Sequence, residues 1–322
     1  MFIRNALCTN RHAQRQLFSR AIATSVDTLS TWITRLTTAR PKQSIDLIDL
    51  ERAQQLYRVL PTRTGRGEVL PEWGTPLGKG HSLVYFWPKN ENEQLGEDGS
   101  STDYNPPHPY TRRMWAGGSF HWPKSYSATP ETEGILVGSS MVEETSVAKI
   151  EEKKGMVFVH QLKEYKGMNG GAAVVKEIWS ALIGDGVVET LQPAEPPYDI
   201  SFTYTPSLPL LFRFSALTFN AHRIHYDAIW AREREGHSSS PYGGPVVHGP
   251  LSALVGVELV ERWIRESSEG RGKVMREFEY RATSPMYVDR EIEVVGRVEG
   301  GKMKLWVVQD KKVGMVATAT LE

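Results

Sequence analysis

Two short stretches hold the side chains with the most chemistry. Residues 212–227 read FRFSALTFNAHRIHYD and carry Asn220, His222, Arg223 and His225; residues 245–254 read PVVHGPLSAL and carry His248 and Gly249. Imidazole is the side chain whose ordinary pKa lies closest to pH 7, so these histidines are candidates for moving a proton near neutrality. Gly249 and Pro250 stand where an apolar run begins, which predicts a helix with Gly249 as N-cap and Pro250 in its first turn. Peptide N–H groups at a helix start lack intrahelical acceptors and are aimed at an anion. Pro250 has no N–H, so Gly249 or a neighbour must be the donor, and glycine permits close approach.

Other chemistries fit less well. His222-x-x-His225 lacks a nearby carboxylate or third histidine of a standard zinc pattern, and His248 is distant in sequence, so no metal is expected. Gly74–Lys79 is one residue short of a phosphate loop and lacks the following Ser or Thr. No G-x-S-x-G elbow occurs, and no G-x-G-x-x-G follows a strand and opens a helix.

The elements that must position these residues fall into two similar halves. In the second half, residues 246–266 form a helix that is apolar almost all round at its start, the mark of a buried helix. Strands are expected at 273–281, 291–298, 302–309 and 313–321, and a helical segment around 226–235. In the first half, Ile45, Ile48, Leu56 and Val59 predict a helix over 44–60 with Ser44 as N-cap. Strand-like runs lie at 134–150, 155–166 and 172–183, the last two joined by a hairpin signal at 167–171. The apolar run 81–88 is the only candidate for a central helix there. Residues 89–109 read as a mobile loop and 184–206 as a proline-containing linker. A buried helix wrapped by an antiparallel meander is the α+β hotdog architecture, here expected twice as a double hotdog.

The chain has 322 residues, 40% hydrophobic and 24% charged, with 38 basic and 38 acidic side chains. That is the make-up of a globular protein, long enough for two domains. Zero net charge disfavours a nucleic-acid partner, and no apolar run is long enough to span a membrane. The single cysteine, Cys8, excludes a disulfide framework. The charge is uneven, however. Residues 1–42 hold seven basic residues and one acid, Asp27, among many hydroxyls, the composition of a mitochondrial transit peptide. Cleavage is expected near Arg20–Ala21 or before Pro41. Without 1–42 the chain keeps 31 basic and 37 acidic residues, a net −6, and no cysteine. The expected division is therefore a leader at 1–42, a non-catalytic hotdog-like unit at 43–190 and a catalytic one at 191–322.

Phe214–His225 resembles the signature of MaoC-type hotdog hydratases, in which an acid or amide precedes a histidine by five positions. Val247-His248-Gly249 resembles that family's second element. Arg112-Arg113-Met114-Trp115-Ala116-Gly117-Gly118 is similar to a narrower branch, the mitochondrial hydroxyacyl-thioester dehydratase type 2 and mesaconyl-coenzyme A hydratase-like proteins. The resemblance covers roughly residues 45–322.

This resemblance implies a hydro-lyase that interconverts a (3R)-3-hydroxyacyl thioester with a trans-2-enoyl thioester and water. The reaction takes a weakly acidic proton from C2 and hydroxide from C3, so it needs a base and donors for the thioester oxygen. His225 is the candidate base. The commoner pattern has aspartate where this chain has Asn220, and an amide cannot exchange a proton at neutral pH. Asn220 is left to orient the hydroxyl or water. Gly249, His248, His222 and Arg223 are the candidate oxyanion or substrate-binding residues, with His248 also readable as a support for the turn. Arg112 and Arg113 read equally as contacts for coenzyme A or phosphopantetheine phosphates and as a solvated strand end. Trp115 reads as core.

The branch implies a 3-hydroxyacyl-[acyl-carrier-protein] dehydratase of mitochondrial type II fatty acid synthesis, in the matrix and without a cofactor. The alternatives are a mesaconyl-coenzyme A-type hydratase and a non-catalytic acyl-thioester binding module. A monomer or a homodimer is expected.

Overall fold

The computed structural model describes residues 29–63, 69–110, 112–123, 134–168, 175–183, 191–193, 195–234 and 244–322. In the first half, helix α1 (29–37) precedes β1 (Lys42–Leu47) and α2 (Leu50–Val59). Then come β2 (Arg113–His121), β3 (Ser140–Lys153), β4 (Met156–Gly167) and β5 (Val175–Ile183). The second half opens with β6 (Ile200–Tyr204), α3 (Leu208–Leu217), α4 (Ala228–Glu233) and α5 (Gly249–Glu266). It closes with β7 (Met275–Ala282), β8 (Ile292–Glu299), β9 (Lys302–Gln309) and β10 (Lys312–Leu321).

The strands form one ten-stranded antiparallel sheet, in the order β1-β3-β4-β5-β2-β7-β10-β9-β8-β6. Read inward from either edge, the two halves have the same topology. This is an α+β double hotdog. Its centre is the β2–β7 pairing, where Gly117 stands opposite Arg281 and Phe120 opposite Phe278. A Cβ on Gly117, whose φ is 150°, would lie 2.4 Å from the Tyr280 carbonyl oxygen. Gly117 therefore lets the two half-sheets close up.

Strands β7–β10 follow the expected runs within two residues; β8, β9 and β10 pair in sequence through local turns, and β7 pairs with β10. Gly300 and Gly301, and then Asp310 and Lys311, take the positive φ angles of tight hairpins. Helix α5 is buried from Leu251 to Val260, and its Leu251 and Leu254 share one core with Ile48 and Leu56 of the first half. His248, and not Gly249, is its N-cap.

The first half departs more from its sequence pattern. The expected helix over 44–60 begins only at Leu50, with Asp49 as N-cap accepting from the Arg52 amide. Residues 42–47 are a strand because they pair with β3, from Lys42 opposite Thr145 to Leu47 opposite Ser140. There Ile45 and Leu47 point to solvent, while Asp46 accepts hydrogen bonds from Arg52 and the Phe86 amide. The 81–88 run supplies only a 3-10 turn, His81–Val84, completely buried. Residues 89–109 are an ordered loop with a 3-10 turn at Asn92–Gln94 and a bridge between Leu95 and Ser101. The linker at 184–206 already contains β6, and most of the 167–171 turn lies outside the described residues.

The expected leader at 1–42 overlaps the described residues only from residue 29. Residues 1–28 lie outside the described residues, but α1 is part of the folded body. Its Trp32 is 6% exposed and packs with Val157 and Val159. A leader ending before residue 29 leaves 34 basic and 37 acidic side chains, a net −3. No helix among the described residues is long and apolar enough to cross a membrane.

Candidate active site

Helix α3 and the turn after it deliver the first stretch. Ser207 caps α3, and Phe219 follows it with a φ of 49°. The chain then reverses. The Asn220 amide N–H donates to the Ser215 carbonyl at 2.8 Å, and the Asn220 side-chain oxygen accepts from the His222 amide at 3.0 Å. Asn220 thus shapes the turn with the atom that an aspartate would have used for proton transfer. A 3-10 turn, Arg223–His225, ends the segment with His225 buried.

His225 Nδ1 lies 2.7 Å from the Val246 carbonyl oxygen. A carbonyl only accepts, so Nδ1 carries the proton and a neutral ring keeps its lone pair on Nε2. Burial, reinforced by the charge of His222 and partly offset by the Val246 carbonyl, pushes the His225 pKa down to about 3. The ring is therefore neutral at physiological pH. It stacks on His248 with centroids 3.6 Å apart and planes 17° apart. His248 is fully buried, hydrogen-bonds Ser215 through Nε2 at 2.8 Å, and has its pKa held well below the usual range by burial and then by His225 and His222. Among the described residues its Nδ1 has no hydrogen-bond partner.

All of this borders one cavity of about 1770 Å³, enclosed by both halves. Asn220, His222, His225 and Gly249 line it, as do Arg112, just before β2, and Arg113 and Trp115 within it. Gly249 is the first residue of α5, so its N–H has no intrahelical acceptor. A Cβ there would lie 2.9 Å from Trp115 Cδ1. Trp115 is half-buried against the core and also forms cavity wall. Two expected substrate contacts do not line the cavity. His248 lies beneath His225 as its support. Arg223 is drawn to Asp227, at 2.6 Å, and stacks on Trp230 at 4.1 Å.

The sequence reading missed Asp98. This buried carboxylate, on the 89–109 loop of the first half, lies 3.4 Å from His222 Nε2. The Arg223 amide donates to the Asp98 carbonyl at 2.8 Å, and a Cβ on Gly99 would lie 2.1 Å from the Ala221 carbonyl oxygen. The only signal was an Asp-Gly-Ser turn in a polar loop, which says nothing about a partner so distant in sequence. Ser215, the partner of His248, sat unremarked within the first motif. Among the described residues no group of three or more His, Cys, Asp or Glu side chains is arranged for a metal ion.

The fold is that of hotdog dehydratases. A MaoC-like dehydratase from Phytophthora capsici superposes with a TM-score of 0.61 at 13% identity, covering 90% of this chain and 97% of that one. HtdX of Mycobacterium tuberculosis gives 0.59 at 12% identity, covering 87% and 99%. The profile of the family "hydroxyacyl-thioester dehydratase type 2" matches residues 80–288, and the chain belongs to that family. The chain is 31% identical over 250 residues to mesaconyl-C(4)-CoA hydratase of Chloroflexus aurantiacus, covering 73% of this chain and 80% of that protein. It is 26% identical over 260 residues to the mitochondrial hydroxyacyl-thioester dehydratase type 2 of Schizosaccharomyces pombe, covering 72% and 81%. The family makes the chain a hydro-lyase.

Proposed function

We propose that the chain interconverts a (3R)-3-hydroxyacyl thioester with its trans-2-enoyl thioester and water, in the cavity between its halves. The observation that carries this reading is the neutral His225, with its proton fixed on Nδ1, in the same cavity as the first N–H of α5. The Gly249 N–H receives the thioester oxygen as negative charge develops on it. His225 Nε2 takes the C2 proton, and its conjugate acid gives a proton to the hydroxyl leaving C3. Run backwards, the same groups add water. His222, beside Asp98, holds the hydroxyl or water in place, a task for which the amide at 220 supplies no carboxylate. No cofactor is needed for these steps.

The first reading for the carrier is acyl-carrier protein in mitochondrial fatty acid synthesis. The similarity to the fission-yeast protein and the composition of the first 28 residues support it. Matrix import then rests on the segment before α1, with cleavage near Arg20–Ala21. The second reading is a coenzyme A ester of a short diacid, supported by the Chloroflexus relative and by cationic side chains inside the cavity.

The test is a spectrophotometric hydration assay with crotonyl-, longer enoyl- and mesaconyl-C4-coenzyme A, repeated with acyl-carrier-protein thioesters. Loss of the enoyl absorbance is expected with at least one substrate. Binding of all without water addition to any would make the chain an acyl-thioester binding module.

A further inference from the structure

Arg113 is a cation placed inside the cavity without a counter-ion. Its guanidinium is enclosed deeply enough for burial to lower its pKa, yet it is only half-buried by area and borders the cavity. Among the described residues its one hydrogen bond is from Nη1 to the Ser101 carbonyl at 2.9 Å, and no carboxylate there lies within 4.0 Å of it. The nearest acids, Asp98 and Asp103, are engaged elsewhere. Asp98 accepts from the Ser100 amide and hydroxyl and lies against His222; Asp103 pairs with Lys42 at 2.8 Å and accepts from Asn90. By contrast Lys163, another cation lining the cavity, has its own carboxylate in Glu143 at 2.9 Å. An enclosed guanidinium with most of its five donors unused is built to take a planar anion from outside the protein.

Its place in the fold says which part of a substrate it meets. Trp115, two residues along β2 and so on the same face about 6–7 Å away, packs against Gly249 at the start of α5. On the other side, Ser101 follows Ser100, whose side chain binds Asp98, which in turn meets His222. Arg113 is therefore linked through Trp115 to the start of α5 and through Ser101, Ser100 and Asp98 to His222, and it lines the same cavity as both. The phosphates of a pantetheine arm belong at the open end of such a cavity.

We infer that Arg113 is the receptor for a carboxylate on the acyl group, and that the preferred substrates are thioesters of short unsaturated dicarboxylic acids. This rests on the hydro-lyase reading and narrows it. The experiment compares kcat/KM for mesaconyl-C4-coenzyme A and crotonyl-coenzyme A in the wild type, Arg113→Lys and Arg113→Gln, with melting temperatures as a folding control. The wild type is expected to favour the carboxylated substrate. Arg113→Gln should collapse that ratio by about 100-fold, because an unpaired substrate carboxylate is heavily penalised in an enclosed site. Arg113→Lys should restore part of it. A wild type that prefers crotonyl-coenzyme A overturns the inference but leaves the reaction standing. An equal loss on both substrates overturns it too, since that is the signature of a carrier contact or of misfolding. If no enoyl thioester is hydrated, the hydro-lyase reading fails, and calorimetry with free mesaconate still decides: binding to wild type lost in Arg113→Gln supports the receptor, and no binding overturns it.

Discussion

The two halves share a strand order and differ at the centre. Between α3 and β7 the second half has an eighteen-residue helix buried from Leu251 to Val260; between α2 and β2 the first half has one buried 3-10 turn. The cause is in the chain. Residues 251–260 run without a proline, whereas the turn at 81–84 follows Gly80 in a left-handed conformation and is stopped by Pro88. The second half has a helix N-terminus and three histidines at one place. The first half has no such helix end, and its inner face presents buried polar side chains such as Thr145, Gln161 and the Glu143–Lys163 pair. The halves are nonetheless clamped together. His81 Nε2 and Glu258 of α5 are 2.7 Å apart, with Arg63 on the other carboxylate oxygen. On the proposed reading a repeated fold has divided its work: one half brings the proton-transfer groups, and the other brings a carboxylate, an arginine and space.

Breaking the catalytic side should have the largest effect. His225→Ala is expected to lower kcat by about 10³-fold, the range for removing a general base, with the melting temperature little changed. Near-normal hydration by this variant would remove the mechanism.

The first half's share is tested next. Asp98→Asn should cost roughly 10–100-fold in kcat with a smaller change in KM, since a charge that supports His222 is lost while the cavity shape is kept. An unchanged kcat would return all the chemistry to the second half.

The junction can be broken at the backbone of the β2–β7 pairing, with stability as the readout. Gly117→Ala places a methyl against the Tyr280 carbonyl at a φ of 150°. About 2–3 kcal/mol of stability should be lost, read by urea unfolding. Stability unchanged within error would mean that β2 and β7 can separate at little cost.

The smallest effect is with pH. His225 has a folded pKa of about 3 against an ordinary 6.5. Between those values the unfolded chain binds a proton that the folded chain does not. Stability should therefore fall as pH drops from about 6.5 towards 3, by roughly 1 kcal/mol per pH unit from this residue. His248, shifted in the same direction, adds to the slope. His225→Ala should flatten it; an unaltered slope would show that the ring is not held neutral.

How much of this could be read beforehand depended on distance along the chain. The strands of 292–321 were legible because each pairs with its neighbour through a short turn, and β7 because its run is strand-like although its partners, β10 and β2, are not adjacent in sequence. So was α5, whose apolar residues occupy every face. Strand β1 was not, because its partner is β3, far along the chain, and its apolar Ile45 and Leu47 face solvent; helical spacing then gave the wrong element. Asn220, His222 and His225 were legible as a motif. Their geometry was not: the stacking of His225 on His248 and the capture of the Asn220 oxygen by a backbone amide depend on where α5 sits. Asp98 has no periodicity or spacing to betray it, since its meaning comes from the fold alone.

The closed β2–β7 seam has one more consequence. The two halves hold each other through backbone pairing and a common core, so the covalent connection between β5 and β6 is not what keeps them in place. A chain cut in that connection should stay assembled, and the halves made as separate polypeptides should reconstitute a working whole that neither provides alone.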